Sequence, residues 1–374
     1  MGKQLRVGVA GIGFIGQVHI RAARLAGAQV VAVSGGNPDK TRALAASLGI
    51  DDVRTSEDLA TALDIDVLHI CTPNHLHAQL AELALRNGKH VVCEKPLATS
   101  AADAAALTAV AEETGLVNTV PFVYRFHPVA REARARVSSG ESGAVRLLHG
   151  SYLQDWLALP SDYSWRVDPA LGGASQAFAD IGSHWCDLTE FISGHRITRL
   201  SARTITAVPE RLKENVDAFA KSTGSGERIT VQNEDAVAMM FETDQGAAGT
   251  LMVSQVSHGR KNRLWIEVDA TEEAITFDQE DVEHLWIGRR AGATLLNRDP
   301  GVLHPDAARY ATLPAGHAQG YDGCFDAFVS DTYAVVDGEE RDGLPRFADG
   351  LRAATITDTV LRSAKSNQWE EVQI

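Results

Sequence analysis

The chain has 374 residues, 44% hydrophobic and 22% charged, and its 35 Lys and Arg against 49 Asp and Glu give a formal net charge of −14. That length suits two domains, and the composition excludes disorder, collagen and coiled coil as descriptions of the whole. The acidity, with no basic tract, argues against nucleic acid or an anionic membrane as partner. No apolar run reaches the roughly 20 residues that span a bilayer. The opening MGKQLRVGVAGIGFIG has no small-residue cleavage site, and glycines break its apolar stretch. Cys71, Cys93, Cys186 and Cys324 are far apart with no metal-ligand spacing, so no metal is expected and reduced thiols in a cytoplasm are.

Residues 5–10, 29–33, 67–72, 90–93 and 117–122 are short, apolar and valine-rich, the pattern of parallel strands covered on both faces. Between them, 14–26, 39–48, 75–86 and 101–113 read as helices, with Gly27, Gly49, Gly88 and Gly115 at the expected C-terminal caps. The alternation predicts a doubly wound parallel sheet over residues 1–124. After a helical connection at 128–137 the pattern changes. Residues 145–153, 197–206, 236–241, 249–256, 264–270 and 274–277 alternate polar and apolar, as an open, mostly antiparallel sheet does. A helix near 180–192 interrupts it, a polar excursion is expected at 210–228, and helices at 321–336 and 347–365 close the chain. The expected architecture is α/β, with an α+β second domain over 125–374.

Gly11-Ile12-Gly13-Phe14-Ile15-Gly16 follows the first strand and opens the first helix. In such a loop Gly11 makes the tight turn, Gly13 admits a pyrophosphate to the backbone, and Gly16 lets helix and strand pack closely. The helix N-terminus adds free N–H groups and partial positive charge. Strand before, helix after and repeated units behind make this a dinucleotide site rather than a bare glycine turn. The second strand ends in Val33-Ser34-Gly35-Gly36-Asn37-Pro38-Asp39-Lys40, with neither an acid at its tip nor an arginine for a 2′-phosphate. Ser34 and Asn37 are candidates for the ribose and Lys40 for a phosphate. NAD is favoured over NADP because an uncompensated phosphate dianion is costly to bury.

Thr72-Pro73-Asn74-His75-Leu76-His77 sits at a strand's carboxyl end, where ligands bind in such sheets. Thr72 and Asn74 serve there as helix caps or as cofactor contacts, and His77 is a further candidate. Cys93-Glu94-Lys95-Pro96 ends the next strand, and the proline favours extended backbone at Lys95. By itself this reads as a solvated charge pair at a strand end. Asp180 and His184, spaced i and i+4, share a helical face, and a carboxylate beside an imidazole suits a general base. A capping aspartate with an unrelated core histidine also fits. Tyr124-Arg125-Phe126, Trp165-Arg166, His317 and Tyr321 offer rings and guanidinium forks for a hydroxylated substrate, or ordinary packing.

Taken together, the glycine loop, Thr72-Pro73-Asn74-His75, Glu94-Lys95-Pro96, Tyr124-Arg125-Phe126 and Asp180-Ile181-Gly182-Ser183-His184 after Gly172-Gly173 resemble the Gfo/Idh/MocA family of oxidoreductases along essentially the whole chain. The resemblance implies a Rossmann domain, then an open-sheet domain through which members form dimers or tetramers. It implies hydride transfer at a secondary carbinol of a sugar, a sugar derivative or inositol. It makes Lys95, Asp180 and His184 the catalytic group, and Glu94, Lys95 and 72–74 cofactor contacts. Tyr124, Arg125, Trp165, Arg166, His184, His317 and Tyr321 become substrate-side candidates. The Ser34-Gly35-Gly36 tip departs from the acidic pattern of NAD-dependent members. An NAD-dependent glycosidase, working by transient oxidation, elimination, water addition and re-reduction on an anionic glycoside, uses the same parts. A catalytically silent dinucleotide sensor is the third reading.

Overall fold

In the computed structural model, which describes residues 4–213 and 226–373, the valine-rich runs form one parallel sheet. Its strands are β1 (Arg6–Ala10), β2 (Gln29–Ser34), β3 (Val67–Ile70), β4 (His90–Cys93) and β5 (Asn118–Thr119). They lie in the order β2-β1-β3-β4-β5, all parallel. The helices between them are α1 (Phe14–Leu25), α2 (Pro38–Ser47), α3 (Ser56–Thr61), α4 (His77–Arg86) and α5 (Ala101–Thr114). The order reverses direction at β1, so the loops after β1 and β3 flank the switch point where open α/β sheets hold their ligands.

The fifth strand is shorter than the 117–122 expected. Pro121 has no N–H to extend a ladder, and Val120 donates instead to the carbonyl of Pro345 at 3.2 Å. The short helix α3 was not expected; the Thr55 hydroxyl accepts from the Asp58 N–H and starts it.

The second sheet has nine strands in the order β15-β14-β13-β12-β6-β11-β10-β7-β16. In chain order it is preceded by α6 (Pro128–Ser138) and contains β6 (Val145–Leu153). The short α7 (Pro169–Gly172) and α8 (Ser183–Ser193) follow, then β7 (Ile197–Ile205). A separate hairpin of β8 (Glu210–Lys213) and β9 (Glu227–Thr230) comes next. The remaining strands are β10 (Ala236–Thr243), β11 (Ala248–Ser254), β12 (Arg263–Ala270), β13 (Ala274–Asp278), β14 (His284–Arg289), β15 (Gly292–Asn297) and β16 (Glu370–Glu371). Only β6 and β11 pair in parallel; the other neighbours are antiparallel. The polar excursion expected at 210–228 is thus closed at both ends by a hairpin, and its residues 214–225 lie outside the described residues. Strand β14 and the edge strand β15 were not expected, because glycine and arginine interrupt their alternation.

One face of this sheet packs on α8, with Leu148, Val237, Met239, Phe241, Leu251, Val253, Leu264, Ile266 and Val268 around the fully buried Trp185. Gly150 is a glycine for steric reasons: a Cβ there would lie 2.0 Å from the Trp265 carbonyl oxygen, which accepts the Trp185 indole N–H at 2.8 Å.

The last helices are α9 (Pro305–Ala308), α10 (Tyr321–Val336) and α11 (Phe347–Ser366). The chain divides into two compact units, one of Met1–Val123 with Asp322–Ala354, the other of Tyr124–Tyr321 with Thr355–Ile374. The expected second domain, 125–374, therefore lends a segment to the first unit. The reason is apolar: Cys324, Phe325, Phe328, Val329 and Phe347 are buried. A Cβ at Gly350 would sit 2.8 Å from Leu97. Among the described residues no helix is long and apolar enough to cross a membrane.

Candidate active site

Gly11 has φ +94, which disfavours a side chain, and a Cβ there would meet the Cys71 carbonyl oxygen at 2.5 Å. At Gly16 a Cβ would fall 1.9 Å from the Gly11 carbonyl oxygen. Both glycines are dictated by the protein's own packing. Gly13 differs. Its φ is −64, no protein atom lies within 4 Å of where its Cβ would be, and it is exposed. It also stands at the N-cap of α1, which has no side-chain cap and no acid in its first turn. An open glycine at a helix N-terminus that has no side-chain cap of its own fits a pyrophosphate. Phe14 is exposed and Ile15 partly so, beside the same opening.

At the tip of β2, Ser34 is buried and its hydroxyl bonds that of Ser56 at 2.7 Å. The Asn37 side-chain oxygen caps α2, accepting from the N–H groups of Asp39 and Lys40. Lys40 is exposed. The one arginine close by in sequence, Arg42, pairs with Asp39 at 2.5 Å.

After β3, Thr72 and Pro73 are half-buried, Asn74 is buried and opens a 3-10 turn, and His75 is exposed. His77 was expected among the cofactor contacts, but it is buried with Nδ1 2.8 Å from the Pro96 carbonyl oxygen and Nε2 2.8 Å from that of Thr72. It straps the loop after β3 to the loop after β4. Burial lowers its basicity, against the pull of those two carbonyls.

Glu94 directly follows β4 and is buried, whereas Lys95 is half-buried and joined to Pro96 by a cis bond. Glu94 Oε2 accepts the Lys95 N–H at 3.1 Å, and Oε1 lies 3.0 Å from His19 Nε2. Burial pushes the Glu94 carboxyl up, but the hydrogen bond from His19 and the charge of Lys95 outweigh it and hold it below the usual range.

In the second unit the expected helix near 180–192 begins with a π-helical turn, Phe178–Gly182, and becomes α8 at Ser183. Such turns re-aim side chains and concentrate at functional sites. Asp180 is held by Gln255, whose Nε2 donates to Oδ2 at 2.8 Å, and by Arg166, whose Nε lies 3.4 Å from Oδ1. Gln255 is itself fixed by Gln176 at 2.8 Å. Glu234 anchors the start of the turn, accepting from the Ser175 hydroxyl at 2.6 Å and the N–H groups of Gln176 and Phe178 at 2.9 and 3.0 Å. Burial raises its carboxyl above the ordinary value despite these donors. Gln255, Gln176 and Glu234 were missed by sequence reasoning; the only signal was polar side chains at strand ends beside apolar runs.

His184 is buried, and its ring meets that of Tyr124 edge-on at 5.3 Å between centroids. The Tyr124 hydroxyl donates to Tyr152 at 2.8 Å and accepts from Asn262 Nδ2 at 3.1 Å, while Tyr152 donates to Asn262 Oδ1 at 2.7 Å. Tyr321 lies 6.2 Å from Tyr124. The Arg166 guanidinium stacks on Trp165 at 4.5 Å. The structure thus gathers Tyr124, His184 and Tyr321, and links Trp165 and Arg166 to Asp180, whose charge in turn acts on Tyr152, the hydrogen-bond partner of Tyr124. Arg125 is placed differently from a substrate clamp: it is buried, with Nε 2.8 Å from Asp187 Oδ2 and Nη2 on Oδ1. His317 is exposed, and its carbonyl oxygen accepts from Arg298.

Fold and loop define a protein with a dinucleotide-binding Rossmann unit and a large open-sheet unit. Residues 5–122 match the model of an oxidoreductase family with an NAD-binding Rossmann fold, and 130–276 match the Gfo/Idh/MocA C-terminal domain. A levoglucosan dehydrogenase of Pseudarthrobacter phenanthrenivorans is 31% identical over 99% of this chain and 98% of its own. An inositol 2-dehydrogenase of Rhizobium meliloti is 28% identical over 96% of each. Among solved structures, a levoglucosan dehydrogenase in complex with NADH and L-sorbose matches with a TM-score of 0.90 at 29% identity, covering 99% of both chains. The chain belongs to the Gfo/Idh/MocA family of oxidoreductases. It is an oxidoreductase with an NAD-binding Rossmann domain, as the sequence reading expected.

Proposed function

We propose that the protein is an NAD-dependent dehydrogenase of a secondary hydroxyl on a sugar, a sugar derivative or inositol. The observation that carries the cofactor part is Gly13, a glycine whose Cβ would meet no protein atom within 4 Å, at the start of α1, where no side chain caps the helix. The substrate class rests on relatives named as levoglucosan and inositol dehydrogenases, which match nearly end to end. The β2 tip offers no arginine fork, since the nearby Arg42 pairs with Asp39, and the exposed Lys40 stands there without one, which favours NAD over a 2′-phosphate dianion.

Bound at the glycine loop, NAD supplies the hydride acceptor. His184 takes the substrate hydroxyl proton as hydride leaves the same carbon. Asp180, held by Gln255 and Arg166, keeps a negative charge four residues before it in the chain and favours the imidazolium that forms. Lys95 stabilises the negative charge developing on the substrate oxygen, an electrostatic role. Glu94 contacts the cofactor with its ionised carboxylate. Trp165 and Arg166 present a ring and a cation to the hydroxylated substrate, beside Asp180.

The fully reduced, buried cysteines suit a cytoplasmic enzyme. The outer sheet face exposes Leu147, Met240, Met252, Trp286 and Leu295, an apolar surface suited to a homodimer or homotetramer. Steady-state assay with NAD and a panel of polyols and anhydrosugars tests the reading. A dehydrogenase yields one NADH per product. Product formed with only catalytic NAD refutes a net oxidation, and no turnover on the panel despite NAD binding refutes the enzymatic reading.

A further inference from the structure

Four buried side chains of the first unit, none assigned a role beyond Glu94, join end to end. Glu94 Oε1 lies 3.0 Å from His19 Nε2, His19 Nδ1 lies 2.8 Å from His69 Nδ1, and His69 Nε2 lies 2.9 Å from the Tyr333 hydroxyl. Both histidines are 0% exposed. The four side chains come from separate parts of the unit: His19 from α1, just after the glycine loop, His69 from β3, Glu94 from the residue after β4, and Tyr333 from α10. We propose that His19, His69 and Tyr333 are positioning residues, a one-way chain of hydrogen bonds that holds Glu94 ionised and aimed for the cofactor.

The proton order follows from counting. Two ring nitrogens 2.8 Å apart must share one proton, since two would collide and none would leave facing lone pairs. A carboxylate at Glu94 accepts from His19, so a neutral His19 carries its proton on Nε2 and leaves Nδ1 bare. His69 must then carry its proton on Nδ1 and donate it, which leaves His69 Nε2 to accept from the Tyr333 hydroxyl. Every donation points towards Glu94, and every buried ring nitrogen is satisfied. Burial supports each state: it lowers the basicity of His69, which stays neutral, and keeps Tyr333 a phenol. Phe325 meets the His19 ring edge-on at 5.2 Å and fixes its plane. A histidine pair serving only to fill a core would be replaced more cheaply by apolar side chains. Here the chain ends on the one carboxylate that also accepts the N–H of Lys95.

The consequence for binding rests on the reading of Glu94 as a cofactor contact, and the experiment separates the two. Nitrogen-15 spectra of the histidine rings at neutral pH should show His19 protonated on Nε2 alone and His69 on Nδ1 alone, with assignment through contacts to Phe325 and Tyr333. Tyr333→Phe, which removes only the hydroxyl, should leave the His69 proton on Nδ1 but take away the donor to its Nε2, and raise the NAD dissociation constant about threefold to tenfold. His19→Asn should raise it by at least about tenfold. A His19 imidazolium, or a His69 protonated on Nε2 in the unaltered protein, overturns the proton order without any variant having to fold. Correct tautomers with NAD binding unchanged in both variants overturn the positioning role. If Glu94→Gln also binds NAD as the parent does, the fault lies with Glu94 as a cofactor contact and not with the relay.

Discussion

Gly13→Ala separates what the protein needs for itself from what it needs for its ligand. The added methyl meets no protein atom within 4 Å, and the backbone there, at φ −64, is open to any residue. Folding should therefore be untouched, with the melting midpoint of the cofactor-free protein within about 1 °C of the parent, since a change of ~0.5 kcal/mol moves it little in a protein of this size. The same methyl would occupy the space over the α1 N-terminus that a pyrophosphate needs. Overpacking of that kind costs about 1–3 kcal/mol, or roughly 5-fold to 150-fold in affinity. Calorimetric titration with NAD, alongside thermal unfolding without it, reads both numbers on one preparation. An alanine variant that melts with the parent and binds NAD within twofold of it would refute the placement of the pyrophosphate over Gly13. A variant that melts far lower would show the position to be structural after all.

Gly16→Ala should behave in the opposite way, because its methyl would fall 1.9 Å from a backbone oxygen; a loss of about 2–4 kcal/mol in urea unfolding is expected, and unchanged stability would contradict the packing described. Lys95→Ala and His184→Ala should each cut kcat by about 10²–10⁴-fold with near-parent far-ultraviolet circular dichroism, whereas parent-like turnover in both would remove them from the chemistry. Glu234 tests the pH dependence of stability. Its folded-state value is raised by burial, so the protonated form favours the fold, and that contribution is present below the ordinary glutamate value near ~4.3 and lost as pH rises through the raised one. Glu234→Gln, which keeps an acceptor for Ser175, Gln176 and Phe178, should be at least as stable as the parent at pH 7, and that advantage should shrink on acidification; an advantage that grows towards low pH would reverse the sign. Gln255→Ala should lower kcat by about tenfold through a freed Asp180 while leaving KM for NAD unchanged, and a matching fall in melting midpoint without loss of kcat would make Gln255 merely structural.

Much of this protein is written locally. The glycine loop, the valine runs and the caps act over a few residues, through backbone freedom, side-chain period and hydrogen bonds to the nearest N–H groups, so the parallel sheet and the loop could be read in chain order. The antiparallel sheet was legible for the same reason wherever polar and apolar residues alternate, and it was lost at β14 and β15 where they do not. Candidates such as Lys95, Asp180 and His184 stood out because strand ends and helical spacing are also local. Partners distant in the chain carry no such mark. Asn37 looked available to a ribose, yet its oxygen caps α2. Arg125 looked like a clamp, yet Asp187 holds it. Nothing near His69 in an otherwise apolar strand announces Tyr333, 264 residues on. Periodicity could find α10 but not its unit, since an apolar face states only that it must be covered. Which surface covers it, and which buried polar group finds which partner, is decided when the whole chain closes, because desolvation and hydrogen bonding depend on atoms brought near in space and not on spacing along the backbone.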